Sequence, residues 1–261
     1  MTQFFRNYNI VSRIFLGKGE IYACLNKNTQ KPFVCKKVPK KYIKRELSVL
    51  NMDHPNINPI YESFHFDDSS FVVMEKGDGD LVDLLMENKL SAFTKMNIIY
   101  QMTLSLHYLQ RNNVFHGDIK LENFIYKKVN DVYYHVKLID FETSVDTTNG
   151  KMMYGLKGSP TYVSPEMVLS KGYTHKSDNW SLGICAYSIL TEKYPFNFNL
   201  HELKSMSYKD YNLYYKICYD IPEWNNLEDI QKNFVLRLLK RNPQERMSIE
   251  DALNHDYLST L

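Results

Sequence analysis

No stretch of this chain approaches the eighteen or so consecutive apolar residues that a membrane-spanning helix needs, so insertion into a bilayer is not expected. Met1 to Asn9 contain no apolar core of signal-peptide length, which argues against secretion. Cysteine is scarce. The four present, Cys24, Cys35, Cys185 and Cys218, are widely scattered without C-x-x-C or zinc-like spacing, and they read as reduced thiols of an intracellular protein, in the cytoplasm, the nucleus or both. An excess of one charge is missing too: 32 Lys and Arg oppose 30 Asp and Glu, a formal net charge of +2. The cluster Lys36, Lys37, Lys40, Lys41, Lys44 and Arg45 therefore reads mainly as a solvated face, and no direct nucleic-acid site is expected. Internal repeats and low-complexity tracts are absent. What remains is a chain of 261 residues, 44% hydrophobic and 24% charged, with the composition of a globular domain and enough length to bury a sizeable core.

The pattern changes character part-way along. From Ile10 to about Met74, short runs separated by Gly, Asn, Pro or Asp predict strands: Ile10 to Leu16, Ile21 to Leu25, Phe33 to Val38 and Phe71 to Met74. One helix is expected among them, Lys44 to Met52, which groups Leu47, Val49 and Leu50 before His54-Pro55-Asn56 stops it. Beyond the turn Gly77-Asp78-Gly79-Asp80 the periods are helical, as in Thr94 to Gln110 with Ile98, Met102, Leu106 and Leu109 on one side. Two strand-like pieces, Phe124 to Tyr126 and His135 to Ile139, interrupt this second part. A small β-rich half thus precedes a larger helical half, with the boundary near residues 75 to 80.

Several local patterns carry chemistry. Leu16 to Cys24 reads as strand, glycine turn, strand, with Gly17 and Gly19 lacking the Cβ that would keep a backbone away from phosphates; alone, two such glycines most often make only a hairpin. In Phe33-Val34-Cys35-Lys36-Lys37-Val38, period-2 alternation puts Lys36 on the face of Val34 and Val38. A helix carrying Glu46 follows, and its carboxylate could hold that lysine on nucleotide phosphates. The strongest signal is His116-Gly117-Asp118-Ile119-Lys120-Leu121-Glu122-Asn123, then an apolar strand and Leu138-Ile139-Asp140-Phe141. Asp118 suits a base for a hydroxyl proton, Lys120 a neutraliser of a moving phosphoryl group, and Asn123 with Asp140 a Mg²⁺ site of oxygen ligands.

In this order, from Leu16 to Leu258, these residues resemble a eukaryotic-type protein kinase catalytic domain of the Ser/Thr class. The resemblance implies an α+β, two-lobed fold in a single domain, residues 1–261, with an antiparallel β-sheet lobe carrying one helix over about 1–75, a hinge at about 75–80, and a helical lobe over about 81–261. It implies ATP and Mg²⁺, with Mn²⁺ as an alternative ion, and protein substrates. Met74 and Glu75 match the gatekeeper and hinge that face adenine, and Asp80 the ribose contact. Gly158 to Glu166 match the substrate-docking loop, Asp178 to Gly183 the helix bracing the catalytic loop, and Arg246 the partner of Glu166. Lys120 two residues after Asp118, with Ser159, implies the Ser/Thr class.

The departures are as informative. Tyr22 stands at the third glycine position and is expected to overhang the phosphates; Gly117 replaces an arginine, so activation by loop phosphorylation at Thr143, Ser144, Thr147 or Thr148 is not expected. Glu142 replaces the glycine after Asp140-Phe141 and adds a carboxylate beside the metal ligands. Only nine residues separate Lys36 from Glu46, so the Glu46 helix should be short and in need of support from Met1 to Asn9 or from a second protomer in a homodimer through the N-terminal lobe. Asp80, Asp83 and Glu122 suit substrates with Arg or Lys before the acceptor. The compactness and Gly117 resemble virus-encoded kinases of large DNA viruses, of the baculovirus protein kinase 1 type, which implies basic, DNA-packaging substrates in an infected cell. The alternative function is a pseudokinase scaffold that binds a partner, with or without nucleotide, and transfers nothing.

Overall fold

The computed structural model describes residues 2–16, 19–47, 52–66, 68–87, 89–196, 217, 224 and 227–259. After a short helix α1 (Thr2–Asn7) come β1 (Tyr8–Leu16), β2 (Gly19–Asn26) and β3 (Pro32–Pro39), then a single turn of helix, α2 (Ile43–Glu46), then β4 (Ile60–Phe66) and β5 (Ser69–Glu75). The strands form one antiparallel sheet in the order β1-β2-β3-β5-β4, in which Lys36 is paired with Ile21 on one side and Val72 on the other. β1 carries an irregularity between Ile10 and Ser12. The expected helix Lys44 to Met52 runs into residues 48–51, which lie outside the described residues.

Because successive strand residues face opposite ways, the sheet has two chemically distinct faces. The inner face, with Val34, Val38, Ile60, Val72 and Met74, joins the main core together with Ile43 of α2. The outer face collects Cys24, Cys35, Phe64 and Val73 into a separate cluster that α1 covers with Phe4, followed by Tyr8. Two expectations are corrected here. The N-terminal segment packs on the outer face, opposite the side of α2, so it is not what supports the Glu46 helix. Tyr22, paired with Cys35 rather than Lys36, packs against the same outer cluster and gives its hydroxyl to Glu20 at 2.7 Å, so its ring does not overhang the inner cleft.

The rest is mostly helical. α3 (Leu81–Glu87) is followed by α4 (Ala92–Arg111), which begins where Ser91 Oγ accepts the Thr94 N–H at 3.1 Å and which buries Ile98, Ile99, Met102, Leu106 and Leu109. β6 (Gly79–Asp80), β8 (Phe124–Lys128) and β9 (Tyr134–Leu138) make a small sheet in the order β6-β8-β9, and β7 (Val114–Phe115) pairs with β10 (Val145–Asp146). α5 (Pro165–Val168) leads to α6 (Lys176–Thr191), which is buried over nearly its whole length; α7 (Asp229–Leu238) and α8 (Ile249–Leu253) follow. One continuous core runs from Val38 and Val72 through Ile57 to α4 and α6, so the small sheet and the helical part are packed together rather than tethered. Each large aliphatic side chain fully buried there contributes about 1.5–3 kcal/mol. Among the described residues no helix is long and apolar enough to cross a membrane.

Candidate active site

Lys36 is delivered to the inner face by the alternation of β3, and it is 7% exposed. Its ammonium meets three carboxylates: Glu46 at 3.1 Å, Asp140 at 2.7 Å and Glu142 at 3.0 Å. Burial works against the charge of Lys36, but the three anions more than reverse that and hold its pKa above the ordinary lysine value. Burial pushes the Glu46 carboxyl up to about 6, with the Lys36 ammonium opposing it. Glu46 also accepts the Phe141 N–H at 3.0 Å, tying α2 to the loop after β9. Asp140 has a left-handed backbone, φ +66°, a conformation costing roughly 1–2 kcal/mol for a residue with a Cβ. Burial would raise its carboxyl, yet the Lys36 ammonium prevails and keeps it below the usual carboxylate range. Glu142 therefore points at Lys36, and Arg45 reaches back to the Glu142 carbonyl at 3.4 Å.

The second cluster is built by the loop after β7. Lys120 Nζ lies 2.8 Å from Asp118 Oδ2 and donates to Ser159 Oγ at 2.9 Å, and Ser159 in turn donates to Asp118 Oδ1 at 2.9 Å. Asn123 Nδ2 donates to the Asp118 carbonyl at 2.7 Å and to its carboxylate at 3.1 Å. Ser159 comes this close because Gly158, at φ +83°, lies against the loop: a Cβ there would stand 2.5 Å from the Gly117 carbonyl oxygen. Gly117 has φ +81°, and a Cβ would meet the Phe115 ring at 2.8 Å, so the turn that delivers Asp118 has no room for a side chain at 117.

His116 joins the two clusters, a role that its place in the sequence did not reveal. Its Nδ1 accepts the Asp118 N–H at 3.2 Å, which puts the proton on Nε2, where it is donated to the Ile139 carbonyl at 3.1 Å. The ring packs edge-on against Phe141 at 4.9 Å between centroids, and burial lowers its pKa so that it stays neutral. The residues preceding Asp140 and carrying Asp118 are thus held by opposite edges of one imidazole. Beneath, buried Asp178 of α6 accepts the N–H groups of His116 at 2.9 Å and Gly117 at 3.0 Å. Glu166 and Arg246 form a buried bidentate pair at 2.6 and 2.8 Å, Ser177 donates to the same carboxylate at 2.7 Å, and the guanidinium sits 5.2 Å from the Trp180 ring centre.

The remaining expected residues are distributed as follows. Met74 is buried in β5 between Val34 and Ile60. Glu75 ends that strand, its carboxylate paired with Lys137 and its carbonyl accepting Asn58 Nδ2 at 3.1 Å, a competing donor that sequence patterning did not indicate. Asp80 Oδ1 accepts the N–H groups of Val82 at 2.9 Å and Asp83 at 3.0 Å, so one of its oxygens starts α3. Gly19 opens β2, whereas Gly17 lies outside the described residues.

Known proteins give this geometry a family. The family described as "Protein kinase domain" matches residues 13–258. The Aurora kinase of Saccharomyces cerevisiae is 30% identical over 240 residues, covering 91% of this chain and 62% of its own length. The meiosis-specific serine/threonine-protein kinase mek1 of Schizosaccharomyces pombe is 27% identical, covering 97% and 59%, and serine/threonine-protein kinase dkf-1 of Caenorhabditis elegans is 27% identical, covering 98% and 37%. The chain thus spans less than two thirds of the length of each of these relatives. None of the three is virus-encoded, and the resemblance to viral kinases draws no support from them. On the family match over nearly its whole length, this chain belongs to the protein kinase domain family.

Proposed function

We propose that the chain is an ATP-dependent Ser/Thr protein kinase that moves the γ-phosphate of ATP onto protein hydroxyls. The observation that carries this reading is the pairing of two clusters, Lys36 with Asp140 at 2.7 Å and Asp118 with Lys120 at 2.8 Å, across one neutral imidazole, that of His116. An ammonium for phosphates and a carboxylate for a hydroxyl proton are what phosphoryl transfer requires. In this reading the acceptor hydroxyl lies within hydrogen-bond reach of Asp118, as the Ser159 hydroxyl does. Asp118 takes its proton as the new P–O bond forms and the bond to the β-phosphate oxygen breaks, releasing ADP. Lys120 offsets charge on the transferring group, and Lys36, positioned by Glu46, holds the other phosphates. The Asn123 amide oxygen and the Asp140 carboxylate are hard oxygen donors that suit Mg²⁺ or Mn²⁺. Bound there, the ion would neutralise charge on the phosphoryl oxygens.

Gly17 and Gly19 would approach the phosphates, Met74 and Glu75 the adenine, and the second carboxylate oxygen of Asp80 the ribose. The Ser/Thr class follows from Lys120 and Ser159 and agrees with the printed names of relatives. Exposed Glu122 and Asp83 favour acceptors preceded by Arg or Lys, with basic DNA-packaging proteins as candidates. A second protomer through the N-terminal lobe is the remaining candidate support for α2. The rival reading, a scaffold without transfer, has one observation in its favour: Glu142 occupies Lys36 at 3.0 Å, where phosphates would bind. Incubation with labelled ATP, Mg²⁺ or Mn²⁺ and a basic protein, beside Asp118→Asn, separates the two. Transfer should be lost in the variant; equal background from both proteins would leave the scaffold standing.

A further inference from the structure

One buried side chain beside the proposed nucleotide cleft is only half used by the fold. Asn58, just before β4, is 2% exposed. Its backbone N–H donates to the Leu138 carbonyl at 3.0 Å, next to the bridge between Ile57 and Leu138, and Leu138 stands two residues before Asp140. Its side chain meets the end of β5, where Nδ2 donates to the Glu75 carbonyl at 3.1 Å. Asn58 therefore joins the strand that leads to Asp140 to the segment proposed to face adenine.

The other end of the amide has no such role. Asn58 Oδ1 is buried and has no hydrogen-bond partner among the described residues. A buried acceptor without a donor is costly, and folded chains keep few of them. Turning the amide over brings no relief, because it would set Oδ1 against the Glu75 oxygen, acceptor to acceptor. The bond to Glu75 thus fixes the amide with its donor on the carbonyl and its acceptor alongside. Ile57 and Ile60, on either side in the chain, belong to the main core, and an aliphatic residue at 58 would leave no acceptor stranded.

We propose that Asn58 reads the nucleobase: Oδ1 accepts one hydrogen of the adenine 6-amino group while the Glu75 carbonyl accepts the other. The proposal rests on the kinase reading, which puts Glu75 beside adenine. A carbonyl oxygen has two lone pairs, so the bond from Asn58 does not by itself close it to the base. The two acceptors are neighbours, since Nδ2 of the same amide bridges them. A 6-oxo base, guanine or hypoxanthine, brings a third oxygen to that place and no hydrogen from its 6 position. A site built of acceptors rejects it, because its own polar groups stay unpaired. Asn58 is thereby a specificity-determining residue that selects ATP over GTP.

The test is isothermal titration calorimetry of the full chain with three nucleotides and no transfer step. ADP carries an amine at position 6, IDP an oxygen, and purine riboside diphosphate only hydrogen. The unaltered chain should bind ADP most tightly. Asn58→Leu should weaken ADP roughly threefold to tenfold, the range of one neutral hydrogen bond, and leave purine riboside diphosphate within about twofold. IDP should bind the variant at least as well as it binds the unaltered chain, so the preference for ADP over IDP falls. Asn58→Val, with a smaller side chain, gives the same comparison should leucine crowd the site or prevent folding. Equal weakening of all three nucleotides would make Asn58 a brace for Glu75 and overturn the proposal, as would a preference for ADP over IDP that neither variant changes. Absence of any nucleotide binding by the unaltered chain would sink the kinase reading itself, and the proposal with it.

Discussion

Replacing Glu142 by Gln removes one negative charge from a cluster in which a single ammonium faces three carboxylates. Glu142 lies 3.0 Å from Lys36, and oxygens of Glu46, Asp140 and Glu142 all lie within 4.8 Å of one another. At an effective dielectric of about 20, its attraction to Lys36 is about 5.5 kcal/mol and each of its two carboxylate repulsions is at least about 3.5 kcal/mol. The repulsions together, at least about 7 kcal/mol, somewhat exceed the attraction, and screening of a side chain that is 29% exposed shrinks the difference. Fold stability should therefore move by less than about 1 kcal/mol. Nucleotide binding should respond more. Phosphate oxygens compete with Glu142 for Lys36 and are repelled by it, so Glu142→Gln should lower the KM for ATP roughly threefold to tenfold, equivalent to about 1 kcal/mol. The same substitution withdraws a carboxylate from the neighbourhood of Asp140, so half-maximal activity should need more Mg²⁺. Steady-state kinetics varying ATP at saturating Mg²⁺, and then Mg²⁺ at saturating ATP, read both effects. A tenfold rise in KM together with a fall in thermal stability would refute this reasoning and make Glu142 a required brace.

Burial raises Glu46 from 4.5 to about 6, so the folded chain holds that proton more tightly than the unfolded one; the contribution to stability is full below about pH 4.5 and is lost as pH rises through 6. Glu46→Gln should flatten that slope and leave the protein as stable at pH 8, or up to about 2 kcal/mol more so, since Asp140 and Glu142 still compensate Lys36; kcat/KM should nonetheless fall at least tenfold, and urea unfolding showing a large loss at pH 8 would count against it. Asp118→Asn should lower kcat by about 10² to 10⁴ with nucleotide affinity unchanged in a direct binding titration. Arg246→Met leaves the 4% exposed Glu166 without its cation and should cost about 3–5 kcal/mol by urea unfolding, part of it recovered on adding Glu166→Gln. Glu122→Gln should slow phosphorylation of an Arg-rich peptide more than of a neutral one; equal slowing would remove the charge argument.

The division into a β-rich part and a helical part was legible because it rests on local periods, two for β3 and near 3.6 for α4. β4 was not among the named strands, because its register shifts between Ile60 and Glu62, which puts Ile60 in the inner core and Phe64 in the outer cluster and breaks the period of two. Choosing Lys36 over Lys37 rested on alternation with Val34 and Val38 and on the spacing to Val38-Pro39, both of which are local in the chain. The run from His116 to Asn123 was readable as chemistry because its spacing is short enough for one loop to hold it.

What the amino-acid order decided by itself is therefore whatever neighbours in the chain can enforce: strand faces, the helix started by Ser91, and the loop bearing Asp118, Lys120 and Asn123. Tertiary structure alone decided the rest. It brought Lys36 to Asp140 across 104 positions, turned Glu142 toward that same ammonium, sent Tyr22 to the outer face and laid α1 over it. Those outcomes depend on which buried surfaces and charges find partners after the chain has folded back on itself, and no period in the sequence records that.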